Sequence, residues 1–493
     1  MLRFIQRFDV AIIIMGGFLL RLLFLFDQSL WMDESSVYWE TWLKSLAETW
    51  ELRHLLQPQN APIYTLTISF LEGVFEIDEF IYLRLFSAVL GGVSIYVIHK
   101  LSSLFFNDKK NALAFLLLVV LSTIHIQFSQ VIRFYILLFL FFYCHMYFSL
   151  KYFKAESNNI LVFVFLFSAL GCWSNQLMAL GFMFCSLYYI AHYGFNFKKL
   201  FIYNLANIAG FLTYLPSYLL YINGNFKIGS FRKFGFGDFI FALKSLLVPK
   251  HIGPSLIDLR VSFFNSLSIK QIINGQSLLS QIEMVLALLF CLGLIFIFCN
   301  FKKLSKNFWC VWATILFFCT FLYVKGVSFN DRYFLIFIPL IILLFVENWK
   351  LLGRLKVPFI YLIFLLNILS LRNYFFNSRH QYLNVDLALS QIQDKRVFIS
   401  FDAAGNFLEY FRKKFNLKSL TPIERLANRS EFETFLPEYF GAQNSFVFVD
   451  THRGLLTKKV RESWFGNMSK THEINRVSDT GYPYFQIYRF IKR

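Results

Sequence analysis

The apolar run Val10–Phe26, VAIIIMGGFLLRLLFLF, followed after a short polar break by Leu30-Trp31-Met32-Asp33-Glu34, decides how this chain is read. At 1.5 Å per residue such a run, with a few flanking residues, crosses the ~30 Å hydrocarbon core of a bilayer. Charge is costly near hydrocarbon, so a carboxylate pair at the mouth of a span marks a candidate functional site. A solvated loop start would place acids here too. The neighbours argue for the site: Trp31 and Met32 precede the pair and Val37, Tyr38, Trp39 and Trp42 follow it, an aromatic interfacial belt rather than open water.

The rest of the composition agrees with a polytopic membrane protein. Of 493 residues 57% are hydrophobic and only 16% charged, against about 25% charged in soluble domains. The net charge of +18 would fit nucleic acid, but the basic residues lie between apolar runs, as topology signals and contacts to anionic lipid do. The seven cysteines fall in or beside apolar runs without metal-ligand spacing, so neither a disulfide framework nor a zinc site is expected. Arg3 and Arg7 precede the first run and no small-residue cleavage site follows, so it reads as an uncleaved first span.

Runs of spanning length occur near 9–27, 80–106, 112–128, 133–150, 159–175, 176–193, 200–221, 282–300, 307–325, 332–348 and 355–371, about eleven spans. The run from Pro62 to Phe75 is too short to cross and reads as interfacial or re-entrant. With the N-terminus cytoplasmic, inside loops collect Arg3/Arg7, Lys100/Lys109/Lys110, Lys151/Lys154, Lys198/Lys199, Lys302/Lys303/Lys306 and Lys350/Arg354/Lys356. The short outside connections hold only Arg133, Lys325 and Arg332, as the positive-inside rule requires. Counting Pro62 to Phe75 as a span would invert this bias. Two long loops, about 27–79 and 222–281, then face outward, the second with an expected interfacial helix from Asp238 to Leu247.

The C-terminal stretch, 372–493, changes character. Arg396 to Phe401, Ser445 to Asp450 and Tyr484 to Ile491 read as strands, with helices at Asn406 to Phe415 and Glu431 to Phe440. A small extracytoplasmic α/β domain is expected after an N-terminal membrane module of residues 1–371. It has no glycine-rich phosphate loop, and no internal repeat appears in the chain.

The outside cations need an explanation. Arg133 lies in Ser129-Gln130-Val131-Ile132-Arg133-Phe134-Tyr135 and Arg332 in Asn330-Asp331-Arg332-Tyr333, both at span mouths, and Lys325 lies at the other end of the loop before Arg332. Each alone could snorkel to headgroups. Together, guanidinium forks on the face that carries Asp33-Glu34 match phosphate oxygens. Carboxylates plus phosphate-binding cations suit a transfer reaction in which one carboxylate takes a proton from the incoming hydroxyl or amine and the cations stabilise a departing phosphate. A single base with a phosphate leaving group fits inverting glycosyl transfer.

The first span followed by Leu30-Trp31-Met32-Asp33-Glu34, then Asn60-Ala61-Pro62-Ile63-Tyr64 and Tyr82-Leu83-Arg84-Leu85-Phe86-Ser87, resembles the membrane-embedded C-type (GT-C) glycosyltransferases, in particular the protein O-mannosyltransferase and lipid A aminoarabinose transferase branch. The resemblance covers about residues 1–370 and is most specific in the first loop. It implies an α-helical polytopic fold, a polyprenyl-phosphate sugar donor, a lipid, glycan or protein acceptor, an outward-facing site and inversion at the anomeric carbon. Asp33 would be the catalytic base with Glu34 supporting it. Arg133, Arg332, Lys325 and Arg84 would bind donor phosphate, with Arg84 also able to pair with Glu76, Asp78 or Glu79. Trp31, Tyr64, Gln130, Tyr135 and Tyr333 would line the substrate site. The family commonly has His-Pro-Pro where this chain has Asn60-Ala61-Pro62, and often an acid near Val131. No convincing ligand set for a metal is present, so none is expected to be required, although a divalent ion stays open because some C-type enzymes use one. His54, His125 and His251 receive no role. A bacterial inner (plasma) membrane location is expected. The readings left open are a transporter or flippase of lipid-linked sugars, a polysaccharide ligase or polymerase, and a scaffold without activity.

Overall fold

The computed structural model describes residues 2–26, 32–42, 44–56, 62–77, 79–155, 157–223, 248, 278–300, 303–324, 331–378, 396–399, 419–422, 439–440, 445–451, 458–478 and 485–493. They form two compact units. The larger contains Met1–Leu25, Leu43–Ile77 and Tyr82–Tyr374; the smaller contains Phe26–Trp42, Asp78–Ile81 and Phe375–Arg493.

The larger unit is helical: α1 (Leu2–Leu22), α3 (Leu46–Leu56), α4 (Ile63–Phe75), α5 (Arg84–Phe105), α6 (Lys109–Val120), α7 (Thr123–Ser129), α8 (Tyr135–Ala155), α9 (Asn158–Ser174), α10 (Ala179–Tyr193), α11 (Phe197–Asn223), α12 (Leu278–Cys299), α13 (Lys306–Val324), α14 (Ile338–Asn348) and α15 (Lys356–Arg372). The smaller unit contains α2 (Met32–Thr41). Every apolar run read as a span carries one of these helices, and Pro62 to Phe75 carries the short α4. Among the described residues, three stretches are long and apolar enough to cross a membrane, and the bent pair α6–α7 makes a fourth. The chain is an integral membrane protein.

Helix α8 lies at the centre, buried over most of its surface from Tyr135 to Phe153, with Phe141, Cys144, Tyr147 and Phe148 half-buried and Lys151 exposed, and is packed against α5, α9 and α10. An all-round apolar helix needs such a position. Around it α1 lies on α5, α11 on α9, α6 on α14, α13 on α10 and α12 on α15. Glycine permits such close approaches: a Cβ on Gly293 would collide with the Phe359 ring between α12 and α15, and one on Gly91 of α5 would stand 2.3 Å from Ser129 Oγ.

Two regions depart from the simple runs of the sequence. The run near 112–128 is bent by 53° between α6 and α7, at Leu121 and Ser122, where Ser122 turns extended (φ −62°, ψ 112°). The apolar stretch Arg332–Phe376 is 45 residues long, which as one helix would measure roughly 68 Å, twice a bilayer core. It is broken at Gly353, whose φ of +56° and ψ of −121° are non-helical and open to a residue without Cβ. Two helices, α14 and α15, result.

The smaller unit includes a sheet of β1 (Arg396–Ile399), β2 (Ser419–Pro422), β3 (Ser445–Thr451), β4 (His472–Ser478) and β5 (Phe485–Lys492), in the order β2-β1-β3-β5-β4. The β1 strand is parallel to β2 and β3, while β5 is antiparallel to β3 and β4. Helix α16 (Lys458–Met468) gives Trp464 and Met468 to a core with Phe440, Phe446, Phe448 and Phe490. The three expected strands are present; β2, β4 and α16 add to them. The helix expected at Asn406 to Phe415, most of that at Glu431 to Phe440, and the one at Asp238 to Leu247 lie outside the described residues.

Candidate functional site

Polar side chains of the helical unit gather at its two ends and in buried clusters, one around Arg21 and His125 and another of His145, Ser168 and Asn207. At the end where α1 and α7 finish and α5, α8 and α12 begin, Gln130 is fully buried and acts as a cap. Its Nε2 donates to Arg21 O at 2.9 Å and Leu23 O at 3.0 Å, carbonyls that the end of α1 leaves without helical partners. Its Oε1 accepts from the Tyr374 hydroxyl at 2.8 Å. Three residues on, Arg133 is 7% exposed, and Tyr135 opens α8.

The Arg332 guanidinium, in the 3-10 turn before α14, stands over the Tyr135 ring at 5.8 Å and over Tyr333 at 5.4 Å. The same turn is fastened to α8 by Tyr143, whose hydroxyl donates to Ile336 O at 2.6 Å. Arg332, from the second arginine mouth read in the sequence, thus reaches the first residue of α8, two residues after Arg133. Arg84, fully buried, begins α5 at this end, and its Nη1 donates to Leu25 O at 3.4 Å. Tyr64 is buried and its hydroxyl shares a 2.7 Å hydrogen bond with Ser87 Oγ.

Deeper along α1, Arg21 is fully buried. Its Nη1 donates to Gly17 O at 2.6 Å, and both terminal nitrogens reach Val120 O at 3.4 Å, at the break between α6 and α7. Its Nε and Nη2 lie 3.2 and 2.7 Å from His125 Nδ1. A guanidinium has donors only, so Nδ1 accepts and the histidine proton sits on Nε2, 2.9 Å from Ser94 Oγ. Ser94 in turn donates to Gly91 O, and Ser129 Oγ to His125 O, both at 2.7 Å. The guanidinium splints the broken span and fixes the direction of α7, and with it Gln130 and Arg133.

The acidic pair lies on α2 in the smaller unit. Glu34, Val37, Tyr38 and Thr41 are all buried, and their spacing of three and four residues puts them on one helical face. Tyr38 and Trp42 stack at 5.7 Å, and each meets Phe80 edge-on, at 5.1 and 5.6 Å. Glu34 is thus a buried carboxylate on the packed face of a short helix. Asp33 is in the first turn of α2; its side chain, Trp31 and Lys325 lie outside the described residues.

Lysines mark the opposite end of the helical unit. Lys154 Nζ donates to Leu104 O, and Lys199 Nζ to Phe153 O, each at 3.2 Å. Lys356 lies 4.9 Å over Trp349. Arginine therefore dominates one end and lysine the other.

Sequence reasoning missed Arg21, Glu283 and Tyr374 and gave His125 no role. The signal was present for three of them, as ionisable residues inside apolar runs. Tyr374 carried none, because its partner Gln130 is distant in sequence. Among the described residues no group of three His, Cys, Asp or Glu side chains could hold a metal ion.

No protein-family model matches the chain, and no curated protein does. Among solved structures it is similar to ArnT from Cupriavidus metallidurans in the apo state, with 11% identity and a TM-score of 0.42 over 87% of each chain. It is also similar to ArnT from the same organism bound to undecaprenyl phosphate, with 11% identity and a TM-score of 0.43 over 97% of each chain. A likeness at this level transfers no residue role to this chain.

Proposed function

We propose that this protein is an inverting glycosyltransferase that moves a sugar from a polyprenyl-phosphate donor to a lipid, glycan or protein acceptor at the outer membrane face. The observation that carries the reading is the arginine-rich end of the helical unit, where Arg332 stands on Tyr135 beside Arg133 and Arg84 opens α5. Guanidinium groups at a bundle end, with lysines gathered at the other, suit recognition of a lipid phosphate at headgroup depth. By the positive-inside rule the lysine end is cytoplasmic and the arginine end extracytoplasmic.

In this reading Asp33 takes the proton of the acceptor hydroxyl or amine while that atom attacks the anomeric carbon from the face opposite the phosphate. The carbon–oxygen bond to phosphate breaks, and polyprenyl phosphate departs with its negative charge held by Arg133, Arg332 and Arg84. Glu34, buried on the packed face of α2, orients the turn that carries Asp33. Tyr64, Gln130, Tyr135 and Tyr333 line the substrate path.

The test is to incubate purified protein in nanodiscs with a panel of polyprenyl-phosphate sugars and a membrane extract as acceptor source. Release of polyprenyl phosphate from at least one donor is expected. Movement of intact donor between leaflets without its cleavage would overturn the reading in favour of a flippase.

A further inference from the structure

The chain leaves the helical unit at two of its boundaries beside Gln130: after Leu25, at the end of α1, and after Tyr374, beyond α15. Gln130 holds both exits through Leu23 O and the Tyr374 hydroxyl. The polarity of this clamp follows from its atoms. Both partners of Nε2 are carbonyl oxygens, so the Gln130 amide can face only one way, its Oε1 must accept, and Tyr374 must donate.

What holds Tyr374 is one residue away. Residues Asn373–Ser378 form a π-helical turn, a wider backbone than the α-helix and one frequent at functional sites. Asn373 Nδ2 donates to Glu283 Oε1 and Oε2, both at 2.9 Å. Glu283, in the second turn of α12, is 2% exposed. A carboxylate accepts and cannot donate, so it fixes the Asn373 amide in one orientation. Burying a carboxyl group is costly unless it is hydrogen-bonded, and a leucine would fill the position at lower cost.

Resting on the glycosyl-transfer reading, we infer that Glu283 is a positioning residue for the reaction, acting through Asn373, Tyr374 and Gln130 to fix both chain exits at the arginine-rich end. One of those exits leads in sequence directly to Asp33. Glu283 itself touches neither donor nor acceptor.

Two readouts test this, one of them independent of turnover. In Glu283→Ala, backbone hydrogen exchange at Leu23 and Leu25 should quicken about tenfold, as expected from loss of a hydrogen bond to a charged group. Exchange in α9 and α11 should stay as in the wild type. Glu283→Gln, which keeps one acceptor and preserves folding if the alanine variant does not express, should show a smaller effect at the same amides. In donor cleavage, Glu283→Ala should lower kcat about tenfold, and adding Tyr374→Phe should cost little more, because both cut the same chain. Unchanged exchange at Leu23 and Leu25 in both variants, or strictly additive losses, would overturn the inference. Faster exchange in a protein that cleaves no donor would leave the clamp standing and remove the glycosyltransferase reading instead.

Discussion

The guanidinium of Arg332 stands 5.8 Å over the ring of Tyr135, so the turn before α14 and the first residue of α8 share one cation–π contact. Such contacts contribute about 0.5–2 kcal/mol, more where water is excluded. If the ring aims Arg332 at donor phosphate, Tyr135→Ala should raise the donor KM by ~3- to 30-fold. Tyr135→Phe, which keeps the aromatic face, should stay close to wild type. Steady-state donor cleavage checks both.

Arg133→Gln removes a charge that is 7% exposed at the same end. A hydrogen bond to a charged group contributes about 1.5–3 kcal/mol, so the donor KM should rise ~10- to 100-fold. Arg133→Lys should recover part of it, since an ammonium supplies charge without the bidentate fork. Binding of a polyprenyl phosphate without sugar should weaken in the same order.

Arg21 and His125 make a structural prediction. Arg21→Met leaves Val120 O and His125 Nδ1 without their guanidinium donor, while Gly17 O keeps its helical backbone partner. Each orphaned buried acceptor costs about 1–3 kcal/mol, so the melting temperature in detergent should fall by many degrees. Gly91→Ala, with its Cβ 2.3 Å from Ser129 Oγ, should cost about 1–3 kcal/mol by overpacking.

The first loop carries a pH-sensitive cap. Glu48 Oε2 accepts from Ser45 N and Ser45 Oγ, both at 2.8 Å, and Ser45 Oγ lies 3.3 Å from Glu48 N, a capping box at the start of α3. These hydrogen bonds hold the Glu48 carboxyl below its ordinary value. The folded pKa is depressed, so the stabilisation is fully present above the unfolded value of about 4.3 and is lost as pH falls through the folded one. The protection of the α3 amides, taken against their intrinsic exchange at the same pH, should therefore fall as pH drops below that unfolded value. Glu48→Ala should show the lower protection already at neutral pH.

Apolar length made the helices legible, because a span must be continuous and apolar whatever it packs against. The break between α6 and α7 was hidden, since 112–128 contains neither proline nor glycine and the splint comes from Arg21 on α1. In the sheet, β1, β3 and β5 declared themselves by Val, Ile and Phe. The strands missed, β2 and β4, are the two edges of the sheet among the described residues, where polar residues such as Glu473, Asn475 and Arg476 are favoured. The arginine mouths were legible as exceptions to the charge bias. The contact of Arg332 with Tyr135 was not, because residues 135 and 332 are joined only by the fold.

The most direct test is a single-turnover measurement with saturating donor and acceptor, comparing wild type with Asp33→Asn. The amide keeps the size of the carboxylate but cannot take the acceptor's proton. Loss of a general base should slow transfer ~10²- to 10⁴-fold while polyprenyl-phosphate binding stays within about twofold of wild type. Transfer by Asp33→Asn at the wild-type rate would contradict the account.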